Sequence, residues 1–162
     1  MAENVNIKIT MEGGGEIELE LYPDVAPKTT QNFKSLVERG FYNGLTFHRI
    51  IKGFMIQGGD PMGNGMGGSD EKIFGEFASN GFNNPLRHTR GVISMARSQM
   101  PNSASSQFFI MHDDAPHLDG SYAAFGKVTS GLEILDAVSA AVVGENKNPV
   151  NEIKIKYIKI GE

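Results

Sequence analysis

The chain has 162 residues, of which 40% are hydrophobic and 21% are charged, and its formal net charge is −4. This length and composition fit one globular domain spanning residues 1–162 and exclude a disordered chain. The 15 lysines and arginines are scattered, so we expect no nucleic-acid partner. Cysteine is absent, which excludes disulfides and zinc sites built on sulfur.

No targeting or membrane segment is visible in the sequence. The first residues lack a basic start followed by an apolar run, and no apolar run approaches the ~20 residues that span a bilayer. We therefore expect a cytoplasmic protein without membrane contact. An assembly or structural protein would need an exposed apolar surface or an added interaction segment, and neither is visible in the sequence. We also expect a monomer.

The N-terminal part predicts a β-hairpin. Hydrophobic residues alternate with polar ones at residues 5–9 and 17–21, on either side of three glycines at residues 13–15. Alternation with a period of two gives each strand one buried and one exposed face. The glycines suit the turn between the two strands.

Two segments predict helices. Residues 27–40 begin with a proline, carry apolar residues at helical spacing and end with a glycine, which indicates an amphipathic helix of about three turns. A second helix is predicted at residues 132–138, with Leu132, Leu135 and Val138 on one face.

Short apolar runs separated by loops rich in glycine, asparagine and serine predict further strands. These runs are residues 45–51, 54–57, 91–96, 107–111 and 123–128. The last strand, residues 152–160, changes the phase of its apolar residues near Tyr157, which indicates a bulge or bend there. Many short strands with two helices favour an antiparallel barrel or sandwich whose ends the helices cover.

Two segments go beyond this pattern. Residues 47–60 read FHRIIKGFMIQGGD and residues 106–110 read SQFFI. They closely resemble the signature stretches of cyclophilin-type peptidyl-prolyl cis–trans isomerases, and residues 118–120 with 125–128 resemble a third. The resemblance extends over nearly the whole chain. It implies a mostly β fold, a closed antiparallel eight-stranded β-barrel capped by two α-helices, and an enzyme that assists protein folding without cofactor or metal.

Arg49 matches the catalytic arginine of that family. Rotation about the peptide C–N bond has a barrier of about 18–20 kcal/mol, and X-Pro bonds interconvert over tens to hundreds of seconds. An enzyme must bind the twisted amide more tightly than either planar form, and a fixed cation that donates to the prolyl nitrogen achieves this. Strand alternation predicts that Arg49 points away from His48 and Ile50. The alternative is a surface arginine in a salt bridge.

The resemblance also implies a proline pocket made by Phe54, Met55, Phe109 and Leu118. Aromatic rings and a thioether give adaptable contact to the compact proline ring. The alternative is that all four are ordinary core residues. Phe108 faces the opposite side from Phe109 and is the better candidate for the core.

Polar positions of the motifs match residues that bind the substrate backbone. Gln57 and Gln107 can each donate and accept a hydrogen bond, although an internal bond to a neighbouring loop is an equal alternative for Gln57. Gly65 belongs to the glycine-rich loop at residues 63–68, which permits close approach of a peptide. His48 is predicted to be structural and to donate to a backbone group.

Three departures from the family pattern affect specificity. Ala96, Arg97 and Ser98 are expected to form an edge strand that holds the substrate backbone, and the cation of Arg97, in place of an asparagine, favours acidic substrates. His117 stands where cyclosporin-sensitive members have tryptophan, unless it is only an exposed loop histidine. Tyr122 replaces a histidine, as in bacterial cyclophilins. We expect the partners to be proline-containing peptides and unfolded or folding proteins, with weak cyclosporin binding.

Three alternatives compete with this interpretation. Residues 63–68 match G-x-G-x-x-G, but the segment that follows is too short for the helix of a dinucleotide site. His112 and His117 with nearby aspartates lack regular metal-ligand spacing, so no metal is predicted. The third is a proline-binding module without catalysis, from which Arg49 distinguishes an enzyme.

Overall fold

The computed structural model describes residues 3–161, so the predictions that include Met1, Ala2 and Glu162 lie in part outside the described residues. Within residues 3–161 the chain forms eight β-strands and two α-helices. The strands are β1 (Val5–Met11), β2 (Glu16–Leu21), β3 (Phe47–Ile51), β4 (Met55–Gly58), β5 (Val92–Met95), β6 (Phe108–Met111), β7 (Ala124–Ser130) and β8 (Ile155–Ile160). The helices are α1 (Pro27–Glu38) and α2 (Leu132–Ser139). Neither helix is long and apolar enough to cross a membrane.

All eight strands belong to one antiparallel sheet in the order β3-β4-β6-β5-β7-β2-β1-β8. The sheet curls, so that its two edge strands, β3 and β8, come close to each other and the chain beside one bonds to the chain beside the other. There the Phe47 N–H donates to the Ile153 carbonyl (3.0 Å) and the Ile155 N–H donates to the Leu45 carbonyl (2.8 Å). The predicted mostly β, eight-stranded antiparallel architecture with two helices is confirmed.

The irregularity predicted in the last strand is present. Thr10 of β1 pairs with Tyr157 of β8, and Met11 pairs with Ile155, so Lys156 is an extra residue on β8. A bulge of this kind turns the following side chains to the other face. The phase change in the sequence therefore has its cause in this bulge.

The helices begin and end close to the predicted residues. Gly40 ends the turn after α1 at φ +70°, and its N–H donates to the Val37 carbonyl (3.0 Å). In α2, Leu135 and Val138 are buried, but Leu132 is 39% exposed. Leu132 is the first residue of α2, where the chain has just left the sheet, so its side chain is only partly covered.

A buried carboxylate from another part of the chain caps α1. No side chain next to the helix binds its first N–H groups. Instead, the backbone N–H and the hydroxyl of Thr29 donate to the carboxylate of Glu76 at 2.6 and 2.8 Å. A negative charge at a helix N-terminus is favourable. This contact anchors the segment that carries Phe77 to the helix.

Adjacent residues of the central strands pack on opposite faces of the sheet. Ile56 and Phe108 belong to the main core between the sheet and the helices. Their neighbours Met55 and Phe109 belong to a second, smaller hydrophobic cluster on the other face. The alternation predicted for Phe108 and Phe109 is confirmed, and the second cluster forms the floor of the site described below.

Two buried histidines make stability depend on pH. Burial lowers the pKa of both His48 and His88 below the ordinary value of about 6.5. The unfolded chain therefore binds protons at these positions before the folded chain does, and protons favour unfolding. Asp60 beside His48, and Asp119 beside His88, partly oppose this effect, whereas Arg49 and His117 add to it.

We expect the contribution of these two histidines to the free energy of unfolding to be constant well above about pH 6.5 and to fall as the pH decreases through a window around and below 6.5. Urea unfolding at several pH values in this window measures the slope. A double variant with glutamine at His48 and His88 should lose most of it. An unchanged slope in that variant would assign the effect to other groups.

Candidate active site

A small cavity opens on the second hydrophobic cluster, with a volume of about 140 Å³. Its lining residues are Arg49, Phe54, Met55, Gln57, Ala96, Arg97, Phe109, Leu118 and Tyr122. Since one water occupies about 30 Å³ of liquid, the cavity holds a group of roughly four or five heavy atoms, the size of one small side chain. We call it the site cavity. Nine of the thirteen residues selected from the sequence therefore meet in one place.

A larger cavity of about 320 Å³ adjoins the site cavity. Gly65, Ser98 and Gln107 line it, so three more of the selected residues lie next to the first nine. Gln57, Ala96 and Arg97 line both cavities. The two cavities form one groove, and the remaining selected residue, His117, lies at its edge.

A β-bulge in β3 positions Arg49. Phe47 pairs with Gly58, and Arg49 pairs with Gln57, so His48 is an extra residue between them. His48 is buried whereas Arg49 is exposed toward the groove, as the alternation predicts. Bulges often lie next to active sites, where they redirect a side chain.

Arg49 is held by a polar chain instead of a salt bridge. Its Nη1 donates to Gln57 Oε1 (3.3 Å), and Gln57 Nε2 donates to Gln107 Oε1 (2.9 Å). Gln107 Nε2 then donates to the carbonyls of Gly65 (3.0 Å) and Gly67 (2.8 Å). None of the ion pairs formed within residues 3–161 involves Arg49. Gln57 thus bonds to two side chains of the groove instead of the loop.

Asp60 fixes the glycine-rich loop. Its carboxylate accepts the backbone N–H groups of Met62 (2.8 Å), Asn64 (3.0 Å) and Gly65 (2.6 Å). Burial opposes ionisation, but these bonds and one from Gly67 together lower the pKa of Asp60. The carboxylate is therefore charged at neutral pH, and the loop carbonyls that bind Gln107 have a defined place.

His48 lies below this loop. Both of its ring nitrogens are buried, and neither has a hydrogen-bond partner within residues 3–161. The expected bond from its ring to a backbone group was wrong. His48 is the extra residue of the β3 bulge, and no described polar group comes within hydrogen-bonding distance of its buried ring nitrogens.

Aromatic and apolar side chains make the walls of the site cavity. The rings of Phe109 and Tyr122 meet edge to face at 5.7 Å. Met55, Phe109 and Leu118 are also buried members of the second hydrophobic cluster, while Phe54 packs against it. These residues are therefore both core residues and pocket residues, because the second hydrophobic cluster itself forms the wall of the site cavity.

The edge strand is shorter than predicted. The Ala96 N–H still donates to the Gln107 carbonyl (3.0 Å), but β5 ends one residue earlier. Arg97 and Ser98 lie beyond the strand. The Ser98 N–H donates to the hydroxyl of Ser103 (2.9 Å), which turns the chain away from β6.

Arg97 is tied to its own chain. Its guanidinium lies 4.7 Å from the ring centroids of both Phe77 and Tyr122. It donates to the Ser121 carbonyl (2.6 Å) and the Ser98 carbonyl (2.9 Å). Its charge would therefore reach a substrate through space, and the preference for acidic substrates stays a prediction.

The sequence matches one protein family over nearly its whole length. The family model described as cyclophilin type peptidyl-prolyl cis-trans isomerase/CLD matches residues 6–160. The chain belongs to the cyclophilin-type peptidyl-prolyl cis–trans isomerase family. The resemblance inferred from the signature stretches, and the enzyme class that it implies, are confirmed.

Individual relatives agree with this assignment. The chain is 47% identical over 148 residues to peptidyl-prolyl cis-trans isomerase-like 3 of Gallus gallus, covering 90% of each chain. The crystal structure of a Cryptosporidium parvum cyclophilin type peptidyl-prolyl cis-trans isomerase superposes with a TM-score of 0.90 at 35% identity, over 98% of both chains. A structure of the same protein in the presence of the dipeptide Ala-Pro gives 0.89 at 36% identity, over 97% of this chain and 99% of that one.

The two loop histidines of this cyclophilin-family chain have separate contacts. His117 is exposed and stacks on the Phe54 ring at 5.8 Å. His112 accepts the Gly53 N–H at Nδ1 (2.8 Å) and faces an Asp136 oxygen with Nε2 (3.1 Å). Within residues 3–161 no three metal-binding side chains of histidine, aspartate or glutamate converge.

The glycine-rich loop does not continue into a helix. Residues 63–76 contain no helix, so the strand–loop–helix arrangement of a dinucleotide site is absent from this described segment. Sequence reasoning missed Lys72, Ser103 and Ser105, which line the larger cavity. They belong to no motif, and only the fold brings them beside Gln107.

Proposed function

We propose that this protein catalyses rotation about X-Pro peptide bonds by stabilising the twisted amide with Arg49 while the site cavity holds the proline ring. The observation that carries the proposal is the position of Arg49, hydrogen-bonded to Gln57, in the lining of a small cavity that Phe54, Met55, Phe109, Leu118 and Tyr122 also line. A proline ring in the cavity would present its nitrogen to the guanidinium.

The chemistry needs only differential binding. In the twisted state the prolyl nitrogen becomes pyramidal and regains a lone pair, which a guanidinium N–H can bind. The planar amide offers no such acceptor, so the bond from Arg49 strengthens only toward the transition state. An arginine keeps its charge throughout, and Gln57 limits the orientations of its head group. No covalent bond breaks, so neither a nucleophile nor a metal is required.

The groove offers places for the peptide backbone on either side of the proline. Gln57 and Gln107 are already joined to each other and to the glycine-rich loop, which keeps their amides in place. Ala96 follows β5 along the groove, with Gly65 across from it. The relative whose crystal structure is described as in the presence of the dipeptide Ala-Pro supports a proline peptide as the ligand class. Proline-containing peptides and unfolded or folding proteins are the proposed substrates, and assistance to folding is the proposed role.

The direct test is isomerisation of a proline peptide, with and without a chelator. We expect the protein to accelerate the cis–trans exchange, and we expect the rate to be unchanged after exhaustive chelation, because binding and hydrogen bonds supply the catalysis. Two-dimensional exchange NMR measures the rate without a coupled enzyme. A protein that binds the peptide without accelerating exchange would be a binding module. Loss of activity on chelation, restored by one metal, would contradict the mechanism.

Cyclosporin is expected to inhibit only weakly, because His117 offers a smaller ring than tryptophan and its donor lies elsewhere. The His117→Trp variant should bind the drug more tightly by about 1–3 kcal/mol if the indole packs on Phe54, where His117 now stacks. Inhibition of isomerisation by cyclosporin, titrated for both proteins, gives the comparison. Tight inhibition of the unmodified protein would show that His117 is no barrier. No gain from tryptophan would place the obstacle elsewhere, with Tyr122 the next candidate.

Four further expectations belong to this proposal. The closed barrel is supported by the backbone bonds of Phe47 and Ile155 beside the two sheet edges. A closed barrel leaves no free edge at which other chains could pair. The monomeric state, the cytoplasmic location and the single domain over residues 1–162 stay predictions.

A further inference from the structure

A buried histidine lies directly behind the walls of the site cavity. His88 is 1% exposed, and its ring stacks on the Phe109 ring with centroids 5.9 Å apart and planes at 20°. It also meets the Tyr122 ring edge to face at 6.4 Å. Phe109 and Tyr122 both line the site cavity, but His88 does not reach it.

Both ring nitrogens of His88 are held. Nδ1 lies 3.1 Å from Asp119 Oδ1, and the backbone N–H of His88 donates to the same oxygen (2.6 Å). Nε2 lies 2.9 Å from the Ser94 hydroxyl. A carboxylate only accepts, so Nδ1 carries the proton, and Nε2 accepts from Ser94. This tautomer uses every polar atom of the ring.

The Ser94–His88–Asp119 chain has the hydrogen-bond pattern of a hydrolase triad, yet it is not a nucleophilic site. Ser94 is 0% exposed and its hydroxyl faces the interior of the second cluster. A substrate carbonyl has no access to it. The chain must therefore act on its surroundings and not on a substrate.

The three partners connect separate walls of the site cavity. Ser94 of β5 pairs with Phe109 of β6 in the sheet. Asp119 directly follows Leu118, which lines the cavity from a loop. His88 joins the two, and its ring supports Phe109 from behind. Without its ring, the loop carrying Leu118 would keep the bond from the His88 backbone N–H but lose the ring bond that links Asp119 through His88 to Ser94.

We propose that His88 is a positioning residue that, through Asp119 and Ser94, sets the distance between the Phe109 and Leu118 walls of the site cavity. The inference rests on the proposed function, since it assigns the cavity to the proline ring. The proline ring contacts these walls in the planar and twisted states alike, so looser walls weaken binding of both. Such a change raises KM and leaves kcat nearly unchanged.

The experiment compares His88→Ala, Asp119→Ala and the double variant with the unmodified protein. We expect each single variant to raise KM for an X-Pro peptide about tenfold and to weaken peptide binding by the same factor, because looser walls lose part of the contact that holds the proline ring in the planar and twisted states alike. The KM of the double variant should be no higher than that of the more impaired single variant, since both substitutions break the same connection. The control is Val138→Ala, which removes buried methyl groups from α2 in the main core.

Each result decides between positioning and mere stability. Thermal unfolding first identifies a temperature at which every variant is folded; if His88→Ala does not fold, Asp119→Ala carries the test, because its side chain is partly exposed. KM values equal to that of Val138→Ala would overturn the proposal. Additive effects in the double variant would overturn the connection between the two residues. Peptide titration separates the role of His88 from the proposed function. An unmodified protein that binds the peptide without accelerating isomerisation refutes the catalytic role. The peptide affinities of the His88 and Asp119 variants still test the positioning role in that case.

Discussion

Replacing Arg49 by alanine is expected to lower kcat/KM for isomerisation of an X-Pro peptide by about 10²- to 10³-fold, the usual effect of removing one transition-state donor. The loss should appear mainly in kcat, because the guanidinium bond to the prolyl nitrogen forms only in the twisted state. The fold should persist, since Arg49 is exposed and the single hydrogen bond that its side chain makes within residues 3–161 goes to Gln57. Exchange NMR on the peptide and thermal unfolding of the protein measure the two quantities.

Two further variants sharpen this test. Arg49→Lys should recover little activity, because a point ammonium lacks the planar fork that can donate to the substrate while it bonds to Gln57. Lys52→Ala is the matched control, since Lys52 is an exposed cation in the turn between β3 and β4. It should retain nearly full activity. Near-normal kcat in a folded Arg49→Ala variant would contradict the mechanism, and equal losses in the Lys52 variant would point to general electrostatics.

The parts of the site that were predictable from sequence are those governed by local periodicity or by a long motif. Alternation along β6 placed Phe108 and Phe109 on opposite faces, because successive strand residues always point apart. The phase change near Tyr157 showed a bulge because it moved hydrophobic residues from one face to the other. The motif at residues 47–60 supplied Arg49 and Gln57, which the register of β3 and β4 then brings side by side.

Tertiary contacts decided the remainder. Nothing local in the sequence distinguishes Arg97 as a side chain held between two rings, because Phe77 and Tyr122 come from distant segments. The bond between His88 and Asp119 joins residues 31 positions apart. Helical spacing put Leu132 on one face with Leu135 and Val138 but did not show that its side chain stays partly exposed, since periodicity gives the face of a helix but not where the helix leaves the sheet.

Replacing Phe108 by alanine is expected to lower the free energy of unfolding by about 3–5 kcal/mol, the usual cost of a buried Phe→Ala change. Phe108 is 0% exposed, and its ring meets those of Phe33 and Tyr42 edge to face at 5.4 Å and that of Phe47 at 5.9 Å. Because three rings pack around Phe108, the core has little freedom to relax into the void that the alanine substitution would leave. Urea unfolding gives the loss, and the folded fraction should bind proline peptides with almost unchanged affinity.

Phe109→Ala removes the same atoms one residue away and should have the opposite balance of effects. Phe109 is 5% exposed and belongs to the smaller cluster, where its ring forms a wall of the site cavity against Tyr122. The variant should therefore lose peptide affinity in excess of its loss of stability, because the proline ring would lose its aromatic contact. The decisive quantity is the ratio of binding loss to stability loss, measured for both variants on folded protein. Equal ratios would mean that the two faces of β6 do not divide core from site, and the cavity would lose its assignment as the proline pocket.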